Sequence, residues 1–189
     1  MEVNLQELLE ELAEEYRREG LEVKPEQVLE FLKERLYHFY PDVNPAVVRA
    51  VLKSGTTSLP EIDQKIKLLN RLVQSEGWEE LASTFKRVAN ILKGVELPEK
   101  LEVEEELLVE RAERELWERF KEVVARNRRE REREIQLDNL LELKPWIDQF
   151  FDQVRVNVED PALRRNRQQL IGAIYNEFKR VVGDLKEVS

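Results

Sequence analysis

The chain of 189 residues contains no cysteine and only one histidine. Without cysteine it can form no disulfide, no thiolate metal site and no thiol nucleophile. His38 has no second histidine or cysteine with which to complete a common zinc site, so we expect it to pack or cap. The sequence therefore predicts no metal site.

Glycine is also scarce, with six residues, and neither G-x-x-x-x-G-K-[ST] nor G-x-G-x-x-G occurs. The usual glycine-rich phosphate loops are therefore absent. The 40 acidic residues leave a paired-carboxylate site open, although no spacing distinguishes one pair from another. We expect no catalytic residue and no cofactor in this chain alone.

Long apolar segments are missing as well. No stretch approaches the roughly 18 residues that a membrane-spanning helix needs. Met1 is followed by an acidic amphipathic segment in place of a signal peptide. We therefore expect a cytoplasmic protein that does not enter a membrane.

The charge is uneven along the chain. The net charge of −9 disfavours nucleic acid, because phosphate contacts require lysine and arginine. Residues 64–93 and residues 161–189, however, each carry six basic and three acidic side chains. Local patches decide binding more than the total charge does, so nucleic acid remains a possible ligand.

The spacing of apolar residues is helical over most of the chain. It predicts an all-α bundle of about seven to eight helices in a single domain, residues 1–189. The clearest helices are 3–19, a second helix that begins near Pro25, a third that ends at Lys53, 78–93 and 161–182.

Capping residues support these boundaries. Asn44 and Asp160 each precede a proline, which is the expected order of an N-cap and a first helical position. Ser58 and Glu61 have the spacing of a capping box. Residues 154–158 alternate valine with polar residues, which predicts a short extended segment.

Residues 103–134 combine an apolar stripe with an Arg/Glu-rich end. No apolar residue occurs from Arg126 to Glu134. We therefore predict one long helix over 103–134 whose last turns project into solvent as a salt-bridged arm.

Two segments resemble a known family: KRVANIL, Lys86 to Leu92, and FFDQVRVNVEDPALRRNR, Phe150 to Arg167. Both resemble the C-terminal anticodon-binding domain of the bacterial glycyl-tRNA synthetase β subunit. That family usually has apolar residues at the positions of Arg155 and Gln168.

The resemblance implies a helical anticodon-binding fold related to that of arginyl-tRNA synthetases. It also implies a parent enzyme of two α and two β subunits that uses ATP and magnesium, with aminoacylation on the α subunit. The expected partners are glycine tRNA, the α subunit and the remainder of the β subunit. The chain would then be one excised domain of that enzyme.

Six residues are candidate tRNA contacts, because cations hold the RNA backbone and polar side chains bond to base edges. Arg164 or Arg167 could instead pair with an acid to fix the loop before the last helix, and Phe150 and Phe151 are typical of core. The acids expected for that pairing are Asp152, Glu159 and Asp160. The candidates are Lys86, Arg87, Asn90, Arg164, Asn166 and Arg167.

Two other functions fit the same sequence. The acidic N-terminal helix could dock subunits of an assembly. The shared architecture would also suit the anticodon-binding domain of an arginyl-type synthetase.

Overall fold

The computed structural model of the chain describes residues 5–20, 24–96, 98 and 100–189. Within these ranges the chain forms nine α-helices, two short 3-10 helices and no strand, which confirms the predicted all-α class. The 3-10 helices are Glu105–Leu107 and Leu185–Glu187. The α-helices are α1 (Leu5–Arg18), α2 (Pro25–Phe39), α3 (Pro45–Leu52), α4 (Leu59–Val73), α5 (Trp78–Leu92), α6 (Arg111–Asn127), α7 (Arg133–Leu141), α8 (Lys144–Gln153) and α9 (Pro161–Val181).

Two of the predicted N-caps are confirmed, and the capping box is wrong. Asn44 Oδ1 accepts from the Ala46 amide at 2.9 Å, and the Asp160 carboxylate caps α9. The Ser58 side chain makes no capping bond. The Glu61 carboxylate instead forms ion pairs with Arg133 Nη2 at 2.6 Å and Lys65 Nζ at 3.1 Å. It therefore does not bond to the Ser58 amide as a capping box requires.

The predicted long helix over 103–134 is also wrong, because the chain turns between α6 and α7. Asn127 Nδ2 donates to the Gln136 carbonyl at 3.0 Å, and Gln136 Nε2 donates to the Glu130 carbonyl at 2.7 Å. Both amide side chains are buried. They satisfy the backbone of the turn, so the Arg/Glu segment folds back and its expected solvent-projecting arm does not form.

The core is centred on α9, which packs against α5, α6 and α7. Phe178 of α9 meets Phe85 of α5 edge to face, with ring centroids 4.6 Å apart. Phe150 and Phe151 of α8 are buried, as predicted. Each such side chain contributes roughly 1.5–3 kcal/mol on burial, so these rings stabilise the packing of α5 on α9 and of α8 in the core.

Gly183, just after α9, lets the chain pass close to α3. Its φ is +121°, and a Cβ there would lie 3.0 Å from the Ala50 carbonyl oxygen. The next amide, that of Asp184, donates to the same oxygen at 2.8 Å. The Asp184 carboxylate then accepts a bond from the Tyr175 hydroxyl, which joins the C-terminal segment to α9.

The α1–α2 hairpin leaves large side chains exposed. His38 is exposed in the last turn of α2, so of the two roles expected for it packing is wrong and capping stays a prediction. Leu8, Leu12 and Tyr16 of α1 are exposed at spacings of four residues. No helix in the described part of the chain has the length and apolar composition needed to cross a membrane.

Candidate nucleic-acid interface

An open groove runs along one face of α5. Lys86, Arg87 and Asn90, all predicted as candidate contacts, are exposed and line it. Lys86 and Asn90 are four residues apart and therefore share a helix face. The groove has a volume of about 560 Å³ and is open to solvent. The structure thus brings these three sequence-predicted residues together.

The opposite wall is segment 154–157, which follows α8. Val154 and Val156 are buried, whereas Arg155 and Asn157 are exposed and line the groove. Successive side chains of an extended segment point to opposite sides, so anchoring the valines directs the two polar residues outward. The predicted extended conformation holds at Val154, but the chain bends at 156 and 157, where the Val158 amide donates to the Val156 carbonyl at 3.1 Å. The predicted alternation of buried and exposed residues is present, and Arg155 and Asn157 lie across the groove from α5.

Arg87 ties the two walls together. Its guanidinium carbon lies 4.5 Å from the centroid of the Phe151 ring, and its Nη2 donates to the Phe151 carbonyl at 3.1 Å. A cation over an aromatic face gains roughly 0.5–1 kcal/mol at an exposed site. This contact holds the guanidinium plane at a fixed place while leaving Arg87 exposed.

The groove is electropositive. Lys86, Arg87 and Arg155 line it, and none of the described residues that line it is acidic. On the other side of Arg87 the surface is acidic. The carboxylates that line that neighbouring groove are Glu79, Glu80, Asp148 and Asp152.

The second group of candidate residues, on α9, is mostly buried. Asn166 is 1% exposed, and its side chain bonds to the backbone of Glu104 in both directions, accepting from the amide at 2.8 Å and donating to the carbonyl at 3.0 Å. RNA cannot reach a side chain in this position. The prediction that Asn166 contacts tRNA is therefore wrong, because its amide fastens the segment before α6 to α9.

Arg167 is 5% exposed and pairs with Glu113 of α6, which is fully buried. Its Nε donates to the Glu113 carboxylate at 2.7 Å, and its Nη1 donates to the Arg155 carbonyl at 2.8 Å. The prediction of a tRNA contact is wrong for Arg167 too. Arg167 does hold the loop before the last helix through the Arg155 carbonyl, but its acid is Glu113 and none of the three that were predicted, so that pairing is wrong.

Arg164 remains exposed but faces a surface of mixed charge. Its Nη1 donates to the Val158 carbonyl at 3.2 Å. The groove that it lines with Arg165 and Lys100 also holds Glu96, Glu102 and Glu104.

The amides at the start of α9 are also occupied. The Asp160 carboxylate accepts from those of Ala162 at 2.8 Å and Leu163 at 3.1 Å. These two amides are therefore not free to bind a phosphate at the helix start.

Sequence reasoning missed three residues of this region. Arg155 and Asn157 could have been found from the alternation of residues 154–157, because buried valines at every second position direct the residues between them outward. Glu113 carried no signal, since it is one of many glutamates in an exposed-looking helix. Within the described ranges, no cluster of three or more His, Asp or Glu side chains is arranged to hold a metal ion.

A family profile described as the DALR anticodon binding domain matches residues 81–182, just over half of the chain. The chain therefore belongs to the family of DALR anticodon-binding domains. The matched range contains both walls of the electropositive groove.

Relatives extend the likeness beyond that range. The chain is 34% identical over 161 residues to the glycine--tRNA ligase beta subunit of Actinobacillus pleuropneumoniae serotype 5b, covering 82% of this chain and 23% of that protein. It is 34% identical over 163 residues to the one from Aquifex aeolicus, covering 86% and 23%. It is 33% identical over 201 residues to the one from Acidobacterium capsulatum, covering 98% of this chain and 28% of that protein. These matches confirm the predicted resemblance, and the chain spans about a quarter of the length of these relatives.

Proposed function

We propose that this chain binds the anticodon region of glycine tRNA through the groove between α5 and segment 154–157. The observation that carries the proposal is an electropositive groove within the matched anticodon-binding region. Lys86 supplies a flexible cation for the RNA backbone, and Asn90 supplies an amide for base edges on the same helix face. The catalytic step would lie elsewhere in a larger enzyme.

Arg87 gives the groove a surface on which a base can stack. Unpaired bases stack on aromatic rings or on arginine planes. Phe150 and Phe151 are buried, so their rings belong to the core. One face of the Arg87 guanidinium covers the Phe151 ring, and on this proposal a base stacks on the other face.

The choice of glycine tRNA follows from the relatives, which are named glycine--tRNA ligase beta subunits. On this proposal the remainder of the β subunit and the α subunit are protein partners. ATP and magnesium would serve the parent enzyme, and this chain would bind neither. The anticodon-binding domain of an arginyl-type synthetase remains the competing assignment.

Direct titration tests the proposal. Fluorescence anisotropy with glycine tRNA and with its isolated anticodon stem-loop, at 50 and 200 mM salt, should show binding that weakens with salt. An arginine tRNA stem-loop should compete poorly. If circular dichroism shows a folded chain and neither glycine RNA binds, anticodon binding by this chain is overturned; equal competition by the arginine RNA would overturn only the glycine assignment.

A second candidate function is subunit docking, favoured by the apolar stripe of α1. Leu8, Leu12 and Tyr16 are exposed beside several glutamates, a combination that suits an apolar partner surface with basic edges. Light scattering with the α subunit of a related synthetase should show a larger particle on mixing. A Leu12→Glu chain should lose that increase, and an unchanged mass for the unsubstituted chain would contradict docking to this subunit.

A further inference from the structure

Arg155 is an exposed cation without an acidic partner. Of the hydrogen bonds and ion pairs between described residues, its only one is made by its backbone carbonyl. Several other exposed arginines are paired with acids, as Arg111 is with Glu115 at 2.6 Å and Arg180 with Glu177 at 2.6 Å. An unpaired guanidinium keeps all five donors available to a phosphate.

The backbone that carries Arg155 is fixed from two directions. Arg167 holds the Arg155 carbonyl at 2.8 Å from inside the core, and Arg87 holds the Phe151 carbonyl at 3.1 Å from α5. Val154 and Val156 anchor the segment on its inner side. The side chain is therefore long and flexible, but it starts from a rigid point opposite Lys86.

We propose that Arg155 binds an RNA phosphate from the second wall of the groove, and that the buried Glu113–Arg167 pair is its positioning device. This inference rests on the proposed function. Lys86 and Arg155 then form a clamp across the groove, with one cation supplied by a helix and one by an extended segment. A strand of RNA lying between them meets a cation on either side.

The clamp also gives the buried Arg167 an indirect role in RNA binding. Arg167 is buried and cannot touch RNA, but its Nη1 donates to the backbone carbonyl of Arg155, whose side chain is exposed. Replacing Arg167 with lysine keeps the positive charge next to Glu113 and removes the planar fork that reaches Arg155. Arg167 is in this sense a positioning residue for the groove wall.

Arg155→Gln tests the contact with the anticodon stem-loop as probe. We expect the affinity to fall at least roughly fivefold. The slope of the logarithm of the binding constant against the logarithm of the salt concentration should become shallower by about 0.7, the value for one phosphate contact on a single strand. The matched control is Arg128→Gln, which removes another exposed arginine, from the turn between α6 and α7. It should bind as the unsubstituted chain does.

The outcomes separate this inference from the proposed function. If the unsubstituted chain binds and Arg155→Gln has the same affinity and salt dependence, the phosphate contact is overturned while anticodon binding stands. An equal loss in Arg128→Gln would also overturn it, since the effect would then be one of overall charge. If the unsubstituted chain binds no stem-loop, the proposed function fails and this inference fails with it.

Non-additivity tests the positioning role. Arg167→Lys should weaken binding severalfold in the unsubstituted chain and much less when Arg155 is already glutamine, because the contact that it positions is gone. The same severalfold loss in both backgrounds would mean that Arg167 acts only through general stability, and would overturn the positioning role. If Arg167→Lys does not fold, Arg155→Gln still decides the contact itself.

Discussion

Residues 86–90 of α5 and residues 164–167 of α9 have similar compositions, each with basic side chains and one asparagine. In α5 the cations and Asn90 face an open groove, whereas in α9 Asn166 and Arg167 face the interior. The two segments differ in whether an acidic residue lies opposite their cations. Glu113, fully buried on α6, receives Arg167, and no comparable acid lines the groove beside Lys86.

This contrast shows that residue type alone does not separate RNA contacts from structural ties. A buried carboxylate requires a partner, because an unpaired charge in the interior costs several kcal/mol. The chain meets that requirement with a residue of α9 that composition would assign to RNA. The residues left over in α5 are the ones whose charge remains available to a ligand.

The largest expected effect is on stability. Arg167→Met leaves Glu113 buried without its cation, so the free energy of unfolding should fall by about 3–5 kcal/mol. The melting temperature should fall on the order of 10 °C. Chemical and thermal denaturation measure both.

Lys86→Met is the matched control for that experiment, because it makes the same change at an exposed site. It should stay within roughly 0.5 kcal/mol of the unsubstituted chain. Equal stability of the two variants would contradict the assignment of Arg167 to a structural ion pair and of Lys86 to an exposed site. Combining Glu113→Leu with Arg167→Met should recover part of the loss, since no buried charge is then left alone.

A smaller loss is expected for Asn166→Ala. The Glu104 backbone loses both of its bonds to the side-chain amide, although water can replace them in part, so we expect about 1–2 kcal/mol. The matched change on α5, Asn90→Ala, should alter stability by less than roughly 0.5 kcal/mol. Urea denaturation distinguishes the two, and a larger loss in Asn90→Ala would contradict the assignment of Asn166 to the core.

Much of this fold follows from the sequence, because helix boundaries depend on local chemistry. Asn44–Pro45 and Asp160–Pro161 start α3 and α9 as predicted, and the apolar periodicity of α9 identifies its buried face. The turn after α6 does not follow in this way. It is closed by Asn127 and Gln136, whose amides bond to backbone groups that the sequence alone does not bring together.

The site was predictable only in part, for the same reason. Lys86, Arg87 and Asn90 share one helix, so their common exposure follows from local spacing. The burial of Arg167 depends on Glu113, 54 residues away in the chain, and no local pattern reveals that pair. Long-range contacts of this kind decide which cations remain available.

Alkaline pH should weaken two hydrogen bonds from tyrosine to aspartate. One joins Tyr175 of α9 to Asp184, and the other joins Tyr40 to Asp63 of α4. Burial, with a bond to Asp184, raises the pKa of Tyr175 well above its ordinary value. Burial and a bond to Asp63 raise the pKa of Tyr40 to about 12. A raised pKa means that the folded state holds its protons longer, so stability is complete below the unfolded pKa of about 10 and is lost as pH rises through the folded values.

Tyr175→Phe should therefore cost about 1 kcal/mol near neutral pH and flatten the loss of stability above pH 10. Urea denaturation at several pH values from 8 to 11 measures the slope. A slope as steep as that of the unsubstituted chain would show that Tyr175 does not contribute to it.

The smallest effect on stability should accompany the clearest effect on binding. Lys86→Gln and Arg164→Gln each remove one exposed positive charge, and both should leave the unfolding free energy within roughly 0.5 kcal/mol. Lys86 lies in a groove without acids, so its loss should weaken stem-loop binding severalfold and reduce the salt dependence by about 0.7 of a log unit per log unit. Arg164 shares its groove with three glutamates that repel phosphate, so its loss should change affinity by less than twofold, roughly. Equal losses of affinity in the two variants would place both segments on the RNA and break the distinction between α5 and α9.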